Sequence, residues 1–490
     1  MNAKRDYYAL LGILRDASPE DIRRAYVEAA QRLHPDKNQA PGETEFFLEI
    51  QQAYETLSNP KRREEYDETL PPADSPSSPI VPEILYSRPH LVRMQEAQLV
   101  YVLLNMKTRG ADALPVPPLN ICLALDRSTS MKGAKMELLK AASIQVMRGL
   151  RDEDIFSVVV FGDNAEVAIP ASYRAERQKL EARIRDIQVG GATEMLRGLE
   201  SGLNELRRGS DSRRINHLIL LTDGQTYGDE QACLDLASQA AREGIGISAM
   251  GIGADWNDSF LDQVASRTGN TSRYIARPQD IQKLLTEKFN ALANVVAEDI
   301  SLEGKLGEAV KLNYAFRLQP EAGPVTFGAI TQLGPVLRDV NLSVLFEFHV
   351  SPAATSTGRV DLLNGSLKIA MAARPIPLPP IRVRIGCDVL EAPSAQPPPT
   401  AILQALSRLT LYRMQERARH ESQAGQYDRA TRSLQNLAAH LLSQGHHDLA
   451  NTILLEADNV QRMHTFSLTG EKYIKYATRA LIMQQDEALL

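Results

Sequence analysis

The sequence predicts a multidomain fold in which a doubly wound, Rossmann-like α/β domain is combined with all-α ends and an all-β part. Three observations predict it. At roughly 100 to 200 residues per domain, the length of 490 residues allows about three compact units. Two proline-rich stretches, 70–82 and 393–399, divide the chain. Between them the hydrophobic pattern changes from buried runs separated by helical periodicity to strict alternation.

The composition excludes several classes of protein. With 43% hydrophobic and 24% charged residues, the chain has enough apolar side chains for stable cores, which excludes global disorder. The net charge of −6, from 55 basic and 61 acidic residues, argues against a dedicated nucleic-acid binder. Cys122, Cys233 and Cys387 are too scattered for a disulfide framework or a thiolate metal site, which indicates a reducing compartment. Because no apolar run reaches roughly 18 residues and no export signal is recognised, we expect a cytoplasmic protein without membrane association.

Residues 1–70 are predicted to form a small helical domain. Two segments carry apolar side chains on one helix face, which predicts an antiparallel hairpin. These faces consist of Ile22, Tyr26, Ala29 and Leu33 in the first helix and Phe47, Ile50, Ala53, Tyr54 and Leu57 in the second. Pro35 disfavours helical backbone at His34, so the first helix ends there and the side chains of His34 and Asp36 lie in the loop.

This helical domain resembles a J-domain. The resemblance extends over DYYALLGI at 6–13, HPDKN at 34–38, FLEIQQAYETLSNP at 47–60 and KRREEYD at 61–67. It implies docking on a DnaK-type heat-shock ATPase, whose ATP hydrolysis the loop stimulates. The residues implied in docking are His34, Pro35, Asp36, Arg23, Arg24, Arg32 and Lys37. The alternative for His34 is a loop residue that caps a helix end.

A Pro/Ser-rich linker is predicted at 71–83, and an α/β domain at 118–298. Four short apolar runs within the α/β domain predict buried parallel strands, and helical periodicity separates them. The runs are Ile121–Leu125, Ile155–Phe161, His217–Leu221 and Ile245–Ile252. This alternation predicts a parallel sheet wrapped by helices.

Oxygen-bearing side chains follow the predicted strands. Asp126, Ser128 and Ser130 leave the carboxyl end of the first strand. Thr193 lies in a glycine-rich loop, and Asp223 follows a later strand. Open α/β sheets place ligand sites at this edge.

Two carboxylates and three hydroxyls are donors for a hard cation, and Mg²⁺ suits them because it keeps several waters. With only two charged donors, the site retains attraction for a carboxylate from a partner. The alternative is that these residues cap helices and end strands without an ion.

The α/β domain resembles the von Willebrand factor A domain with its metal-ion-dependent adhesion site. The likeness covers about 118–298, including FSVVVFGDNAEV at 156–167 and MGIGADWND at 250–258. It implies direct binding of a divalent cation by the three hydroxyl groups and binding mostly through water by the two carboxylates.

Residues 84–117 and 299–390 are predicted to form a β-sandwich into which the α/β domain is inserted. Apolar and polar residues alternate along Leu312–Leu318 and Val340–Val350, which is typical of half-buried antiparallel strands. Residues 391–490 have helical periodicity and are predicted to form a C-terminal helical bundle.

The predicted function is that of a co-chaperone or adaptor, not of an enzyme. The J-domain recruits and stimulates a DnaK-type heat-shock ATPase, while the A domain binds a protein client or complex subunit that offers an Asp or Glu to the cation. The alternative is a regulatory protein-interaction scaffold in a bacterial stress or defence system, without client refolding. Metal-dependent hydrolysis at Asp126 and Asp223 needs a general base beside the ion, which the sequence does not supply, so no catalytic residue is predicted.

Overall fold

The structure is a computed structural model with the predicted combination of all-α, α/β and all-β parts. It describes residues 6–33, 43–70, 78–110, 114–173, 177–211, 213–226, 228–356, 358–372, 378–392, 396–467 and 469–483. Among the helices within these ranges, none combines the length and the apolar character needed to cross a membrane.

The N-terminal domain contains the predicted helical hairpin, flanked by two shorter helices. The helices are α1 (Tyr7–Leu11), α2 (Pro19–Leu33), α3 (Glu43–Leu57) and α4 (Pro60–Asp67). The hairpin is held by Ile22 of α2 and Ile50 of α3, both fully buried, and by stacked rings of Tyr26 and Tyr54 with centroids 4.2 Å apart. The apolar faces therefore pack as their 3.6-residue period predicts.

Three strands precede the α/β domain, and the first corrects the predicted linker. The strands are β1 (Ile80–Tyr86), β2 (His90–Val92) and β3 (Gln98–Thr108). The range 71–83 was too long at its C-terminal end, because Ile80 to Glu83 belong to β1. Pro82 is tolerated because β1 is the outermost strand of its sheet, where a missing N–H breaks no ladder on the open side.

The α/β domain is a six-stranded sheet with helices on both faces. Its elements are β4 (Leu119–Asp126), α5 (Ala134–Gly149), β5 (Ile155–Phe161), β6 (Ala165–Tyr173), α6 (Arg177–Arg185), α7 (Met195–Arg208), β7 (Ile215–Thr222), α8 (Glu230–Arg242), β8 (Ile245–Ile252), α9 (Asp258–Ser266), β9 (Ser272–Ile275) and α10 (Ile281–Ala293). The strand order is β6-β5-β4-β7-β8-β9, and only the β6 pairing is antiparallel. The chain reverses its winding direction at the centrally placed β4, which is where such sheets bind ligands.

The remaining strands complete a sandwich of two five-stranded sheets. They are β10 (Val295–Leu306), β11 (Val310–Gln319), β12 (Gly323–Pro324), β13 (Ile330–Leu337), β14 (Leu342–Val350), β15 (Arg359–Ala370) and β16 (Ile381–Leu390). The sheets have the orders β1-β3-β14-β11-β12 and β13-β10-β15-β16-β2. Only Asn294 separates α10 from β10, so the sandwich resumes at Val295, inside the range predicted for the α/β domain. The α/β domain is thus inserted between β3 and β10.

The C-terminal helical domain packs on both neighbouring domains. Its helices are α11 (Thr400–Gln423), α12 (Tyr427–Ser443), α13 (His447–Met463) and α14 (Gly470–Met483). Tyr412 of α11 packs on Phe316 of the sandwich, with ring centroids 5.0 Å apart. Tyr476 of α14 packs on Trp256, which follows β8, with centroids 5.9 Å apart. The helical domain therefore joins the sandwich to the α/β domain.

A buried group of charges connects α14 to α9, and we call it the α9–α14 charge cluster. It consists of Asp258, Asp262, Arg419, Lys475 and Arg479. Arg479 binds both carboxylate oxygens of Asp262 at 2.8 and 2.5 Å, and Arg419 binds both oxygens of Asp258 at 2.8 and 2.9 Å. Burial raises the pKa of each carboxyl, but the adjacent cations outweigh burial and hold both pKa values well below their usual range.

Candidate functional site

The loop after β4 places three oxygen-bearing side chains at the carboxyl edge of the sheet. Asp126 is the last residue of β4 and is fully buried. Its Oδ1 accepts a hydrogen bond from the backbone N–H of Ser128 at 2.8 Å, which folds the loop back on the strand end. A 3-10 turn over Thr129–Met131 follows and exposes Ser130 at the surface. The loop geometry thus results from a local side-chain to backbone bond.

Hydroxyl and carboxylate oxygens from two adjacent strand ends converge in this loop. The Oγ atoms of Ser128 and Ser130 lie 2.9 Å apart. Ser130 donates its hydroxyl to Oδ1 of Asp223 at 2.6 Å. Asp223 follows β7, the parallel neighbour of β4, and is almost fully buried. Parallel pairing of β4 and β7 therefore brings residues almost a hundred positions apart into contact.

Thr193 completes the set from the loop before α7. Its Oγ1 donates to Oδ2 of Asp126 over 3.5 Å, which is a long hydrogen bond. The approach of this loop needs Gly224, because a Cβ at that position would lie 2.8 Å from Oγ1 of Thr193. The structure thus brings together all five residues of the predicted cation site, while their role as ligands stays a prediction.

Thr222 is a contact that the sequence analysis missed. Its Oγ1 donates to Oδ2 of Asp126 at 2.6 Å, so both oxygens of this carboxylate are engaged. Burial raises the pKa of Asp126, and the hydrogen bonds from Thr222 and Ser128 partly offset that effect. Thr222 is the last residue of β7, and its position beside the conspicuous Asp223 is the signal that marks it.

Lys135 is a second residue that the sequence analysis missed. Its Nζ lies 2.5 Å from Oδ2 of Asp223 and 3.3 Å from the backbone carbonyl oxygen of Ser130. Lys135 lies in the first turn of α5 and carries no oxygen donor, so the pattern that predicts a cation site does not include it. Its position shortly after the serines is the available signal.

Arg127 belongs to the loop after β4, and its side chain contacts the β5–β6 hairpin. Its NH1 lies 3.5 Å from Oε2 of Glu166 on β6, and its side chain is about one quarter exposed, at 27%. The guanidinium is therefore paired on the β6 side of the loop, whereas Lys135 is paired with Asp223 on the β7 side.

Within the described residues no group of three or more His, Cys, Asp or Glu side chains is positioned to hold a metal ion. A cation bound at this edge must therefore rely on the serine and threonine hydroxyls in addition to the two carboxylates. That donor set disfavours soft transition metals and suits hard cations.

The docking residues implied for the N-terminal domain are only partly described. Arg23 and Arg24 are exposed on α2, beside the 43%-exposed side chain of Val27. Arg24 also pairs with Asp21 at 2.6 Å. Arg32 lies on the same helix. The other implied positions, His34, Pro35, Asp36 and Lys37, lie outside the described residues.

Three family models match the chain. A DnaJ domain matches residues 6–67, a von Willebrand factor type A domain matches 120–289, and an Sll0103-like C-terminal alpha-helical domain matches 400–485. These matches confirm that a J-domain and a von Willebrand factor A domain are joined in this chain.

Curated relatives cover parts of the chain. An uncharacterised protein of the cyanobacterium Synechocystis, sll0103, is 28% identical over 251 residues, which are 50% of this chain and 57% of the relative. The chaperone protein DnaJ of Methanosarcina thermophila is 51% identical over 67 residues, 14% of this chain and 17% of that protein. Human DnaJ homolog subfamily B member 12 is 53% identical over 64 residues, 13% of this chain and 17% of that protein. The chain thus spans just over half the length of the cyanobacterial relative and under a fifth of the DnaJ proteins.

Solved structures resemble most of the chain in fold. A von Willebrand factor type A protein from Catenulispora acidiphila superimposes with a TM-score of 0.64 at 17% identity, over 83% of this chain and 97% of that one. The ArnB paralog VWA2 from Sulfolobus acidocaldarius gives a TM-score of 0.53 at 14% identity, over 83% of this chain and all of that one, 100%. At these identities the likeness establishes the fold alone.

Proposed function

Since the chain joins a J-domain to a von Willebrand factor A domain, we propose that it is a co-chaperone or adaptor. In this proposal the J-domain recruits and stimulates a DnaK-type heat-shock ATPase. The A domain binds a protein client or complex subunit through a divalent cation. The observation that carries the proposal is the convergence of Ser128, Ser130 and Asp223 at the sheet edge, with oxygen separations of 2.9 and 2.6 Å. The DnaJ-domain match at residues 6–67 supports the chaperone side, and so does the identity of about half to DnaJ proteins over 64 to 67 residues.

The five site residues fit a hard cation. The donors are two carboxylates and three hydroxyls, the oxygen ligands that Mg²⁺ accepts while keeping several waters. Ser128, Ser130 and Thr193 would hold the ion directly, with Asp126 and Asp223 supporting it mostly through water. When bound, the ion would attract an Asp or Glu of the partner to the site. The chain's own groups would orient the partner and its carboxylate. Because this role is binding and no bond of the partner is broken, we propose no enzymatic activity.

Covalent linkage of the two domains would bring a bound client close to the ATPase. A client held by the A domain stays near the ATPase held by the J-domain, because the intervening residues limit their separation and raise the effective concentration. We further propose a bacterial cytoplasmic location. The three cysteines are free and buried, which suits a reducing compartment, and one relative is cyanobacterial.

Replacement of His34 by Gln tests the chaperone side. Wild-type protein is expected to raise the steady-state ATPase rate of a DnaK-type protein, and His34→Gln is expected to abolish the increase. His440→Gln, which changes an exposed histidine of α12, is the control and should stimulate like the wild type. If the wild type stimulates none of several DnaK-type ATPases, the co-chaperone proposal is wrong and the scaffold alternative in a stress or defence system is favoured.

Replacement of Asp126 by Ala tests the cation side. Calorimetric titration with Mg²⁺ is expected to give binding heats in the wild type that are lost in Asp126→Ala, because a charged donor is removed. Asp186→Ala, at an exposed position after α6, is the control. Since Asp126 also organises the loop, Asp126→Asn and thermal melting distinguish loss of charge from loss of fold. Equal heats in wild type and both Asp126 variants would refute the cation site.

A further inference from the structure

We propose that Lys135 keeps the affinity of the A domain for a divalent cation low until an acidic partner group is present. The inference rests on the proposed function, because it concerns the same site. It arises from one contact: the ammonium of Lys135 lies 2.5 Å from Oδ2 of Asp223 and 3.3 Å from the carbonyl oxygen of Ser130. A cationic side chain thus contacts two of the residues predicted to surround the ion.

The backbone fixes Lys135 in this position. Gly133 has a φ of 87°, a left-handed conformation that L-residues with side chains rarely adopt, and it redirects the chain from the serine loop into α5. Lys135 is the second residue of α5, so its side chain starts within reach of the loop. Its side chain is 27% exposed, whereas that of Asp223 is 0% exposed. A carboxylate that is fully removed from water is stabilised by a nearby cation, so the burial of Asp223 favours its ion pair with Lys135.

The charges at the site determine how strongly it attracts a divalent ion. The two carboxylates of Asp126 and Asp223 together with the ammonium of Lys135 carry a net charge of −1. Without the ammonium the same site would carry −2. Affinity for hard cations rises with the number of charged ligands, and the repulsion between an ammonium and a divalent ion acts in the opposite direction. Lys135 therefore weakens binding of the ion alone.

The same charges explain why a partner reverses the effect. With a divalent ion bound, the three side chains and the ion sum to +1, which one carboxylate from a partner neutralises. Ion and acidic group then bind more tightly together than either binds alone, and the coupling is reciprocal by thermodynamic necessity. Without Lys135 the ion-loaded site would be neutral and would attract the acidic group less.

Calorimetric titration with Mg²⁺ alone tests the first half of the inference. Lys135→Gln, which removes the charge but keeps a hydrogen-bond donor, is expected to bind Mg²⁺ about tenfold more tightly than the wild type. Lys135→Arg keeps the charge and should bind like the wild type. Lys132→Gln, at an exposed lysine on the same loop, is the matched control and should leave affinity unchanged. Melting temperatures verify that each variant is folded, and Lys135→Met is the second neutral variant.

The outcomes separate this inference from the proposed function. Equal Mg²⁺ affinity in wild type, Lys135→Gln and Lys135→Met would overturn the role of Lys135 and leave the cation site intact. Tighter binding by Lys135→Arg would also overturn it, because packing and not charge would then be responsible. Absence of Mg²⁺ binding in all the folded proteins would refute the cation site itself.

An acidic probe tests the second half. Titration of Mg²⁺ in the presence of an oligo-aspartate peptide is expected to show several-fold tighter binding by the wild type, with an oligo-asparagine peptide of equal length as control. At a peptide concentration that does not saturate either protein, Lys135→Gln is expected to respond less, because its ion-loaded site lacks the excess positive charge that attracts the peptide. An equal response of both proteins to oligo-aspartate would overturn the coupling.

Discussion

Replacement of Arg479 by Met is expected to weaken the attachment of α14 to the A domain by about 3–5 kcal/mol, because it removes the bidentate partner of the buried Asp262 and leaves Lys475 alone to compensate that carboxylate. Arg479 binds both oxygens of Asp262 at 2.8 and 2.5 Å, and its side chain is only 4% exposed. Its guanidinium also lies over the rings of Tyr412 and Tyr476, so its aliphatic and planar surface is packed as well. The substitution therefore removes both the ion pair with Asp262 and the packing of the guanidinium on the two tyrosine rings.

Hydrogen exchange in α14 measures this effect most directly. The amides of α14 are expected to lose protection in Arg479→Met, while those of β4 and β7 keep theirs. Arg462→Met is the matched control, because Arg462 pairs with Asp458 on the surface of α13 with 75% of its side chain exposed. Exposed pairs of this kind contribute about 0–1 kcal/mol. Unchanged protection of α14 in Arg479→Met would show that the α9–α14 charge cluster does not hold the helix.

The same cluster determines how the stability of the folded protein changes with pH. The pKa values of Asp258 and Asp262 are lower in the folded protein than in the unfolded chain, so the folded state binds these protons more weakly. Their contribution to stability is complete above the unfolded pKa of about 4 and is lost progressively as the pH falls below it. In Arg479→Met the pKa of Asp262 rises, so the loss of stability on acidification should begin at a higher pH than in the wild type.

Replacement of Gly251 by Ala is the second change with a large expected effect. A methyl group at this position of β8 would overlap the ring of Trp256. Overpacking a rigid core costs typically about 1–3 kcal/mol, and the flanking aromatic rings of Tyr274 and Tyr476 leave the indole little room to retreat. The melting temperature of the A domain should fall, and the contact with α14 should loosen.

Fluorescence reports this change without a label, because Trp256 is the only tryptophan in the sequence. Its buried indole is expected to emit at shorter wavelength in the wild type and to shift to longer wavelength in Gly251→Ala. Gly358→Ala is the control, since a Cβ there would have no neighbour within 4 Å. An unshifted emission maximum together with an unchanged melting temperature would contradict the packing described for β8.

Local patterns in the sequence predicted most of the fold because the elements concerned are determined by nearby residues. The four apolar runs of the A domain became β4, β5, β7 and β8, since continuous apolar runs of this length suit strands buried on both faces. The start of β1 was missed because Pro82 reads as a chain breaker, and only its place at a sheet edge makes it acceptable.

The candidate site was predicted in its donors but not in its charge balance. Asp126, Ser128 and Ser130 follow one strand within five positions, so their proximity can be read from the sequence. The pairing of Lys135 with Asp223 joins residues 88 positions apart and depends on how α5 leaves the loop. The α9–α14 charge cluster spans more than two hundred positions, and no local pattern reports such a contact. Long-range electrostatic pairs are thus what the sequence left undetermined.

The position of α14 also affects how the A domain behaves toward other chains. β9 is the outermost strand on its side of the sheet, and Tyr476 of α14 hydrogen-bonds Ser272 at the start of that strand at 2.6 Å. An outer strand offers unpaired backbone groups to any extended segment that approaches it. Because α14 contacts β9 at this border, we expect the last helix described to hinder the addition of a foreign strand there as well as joining the domains.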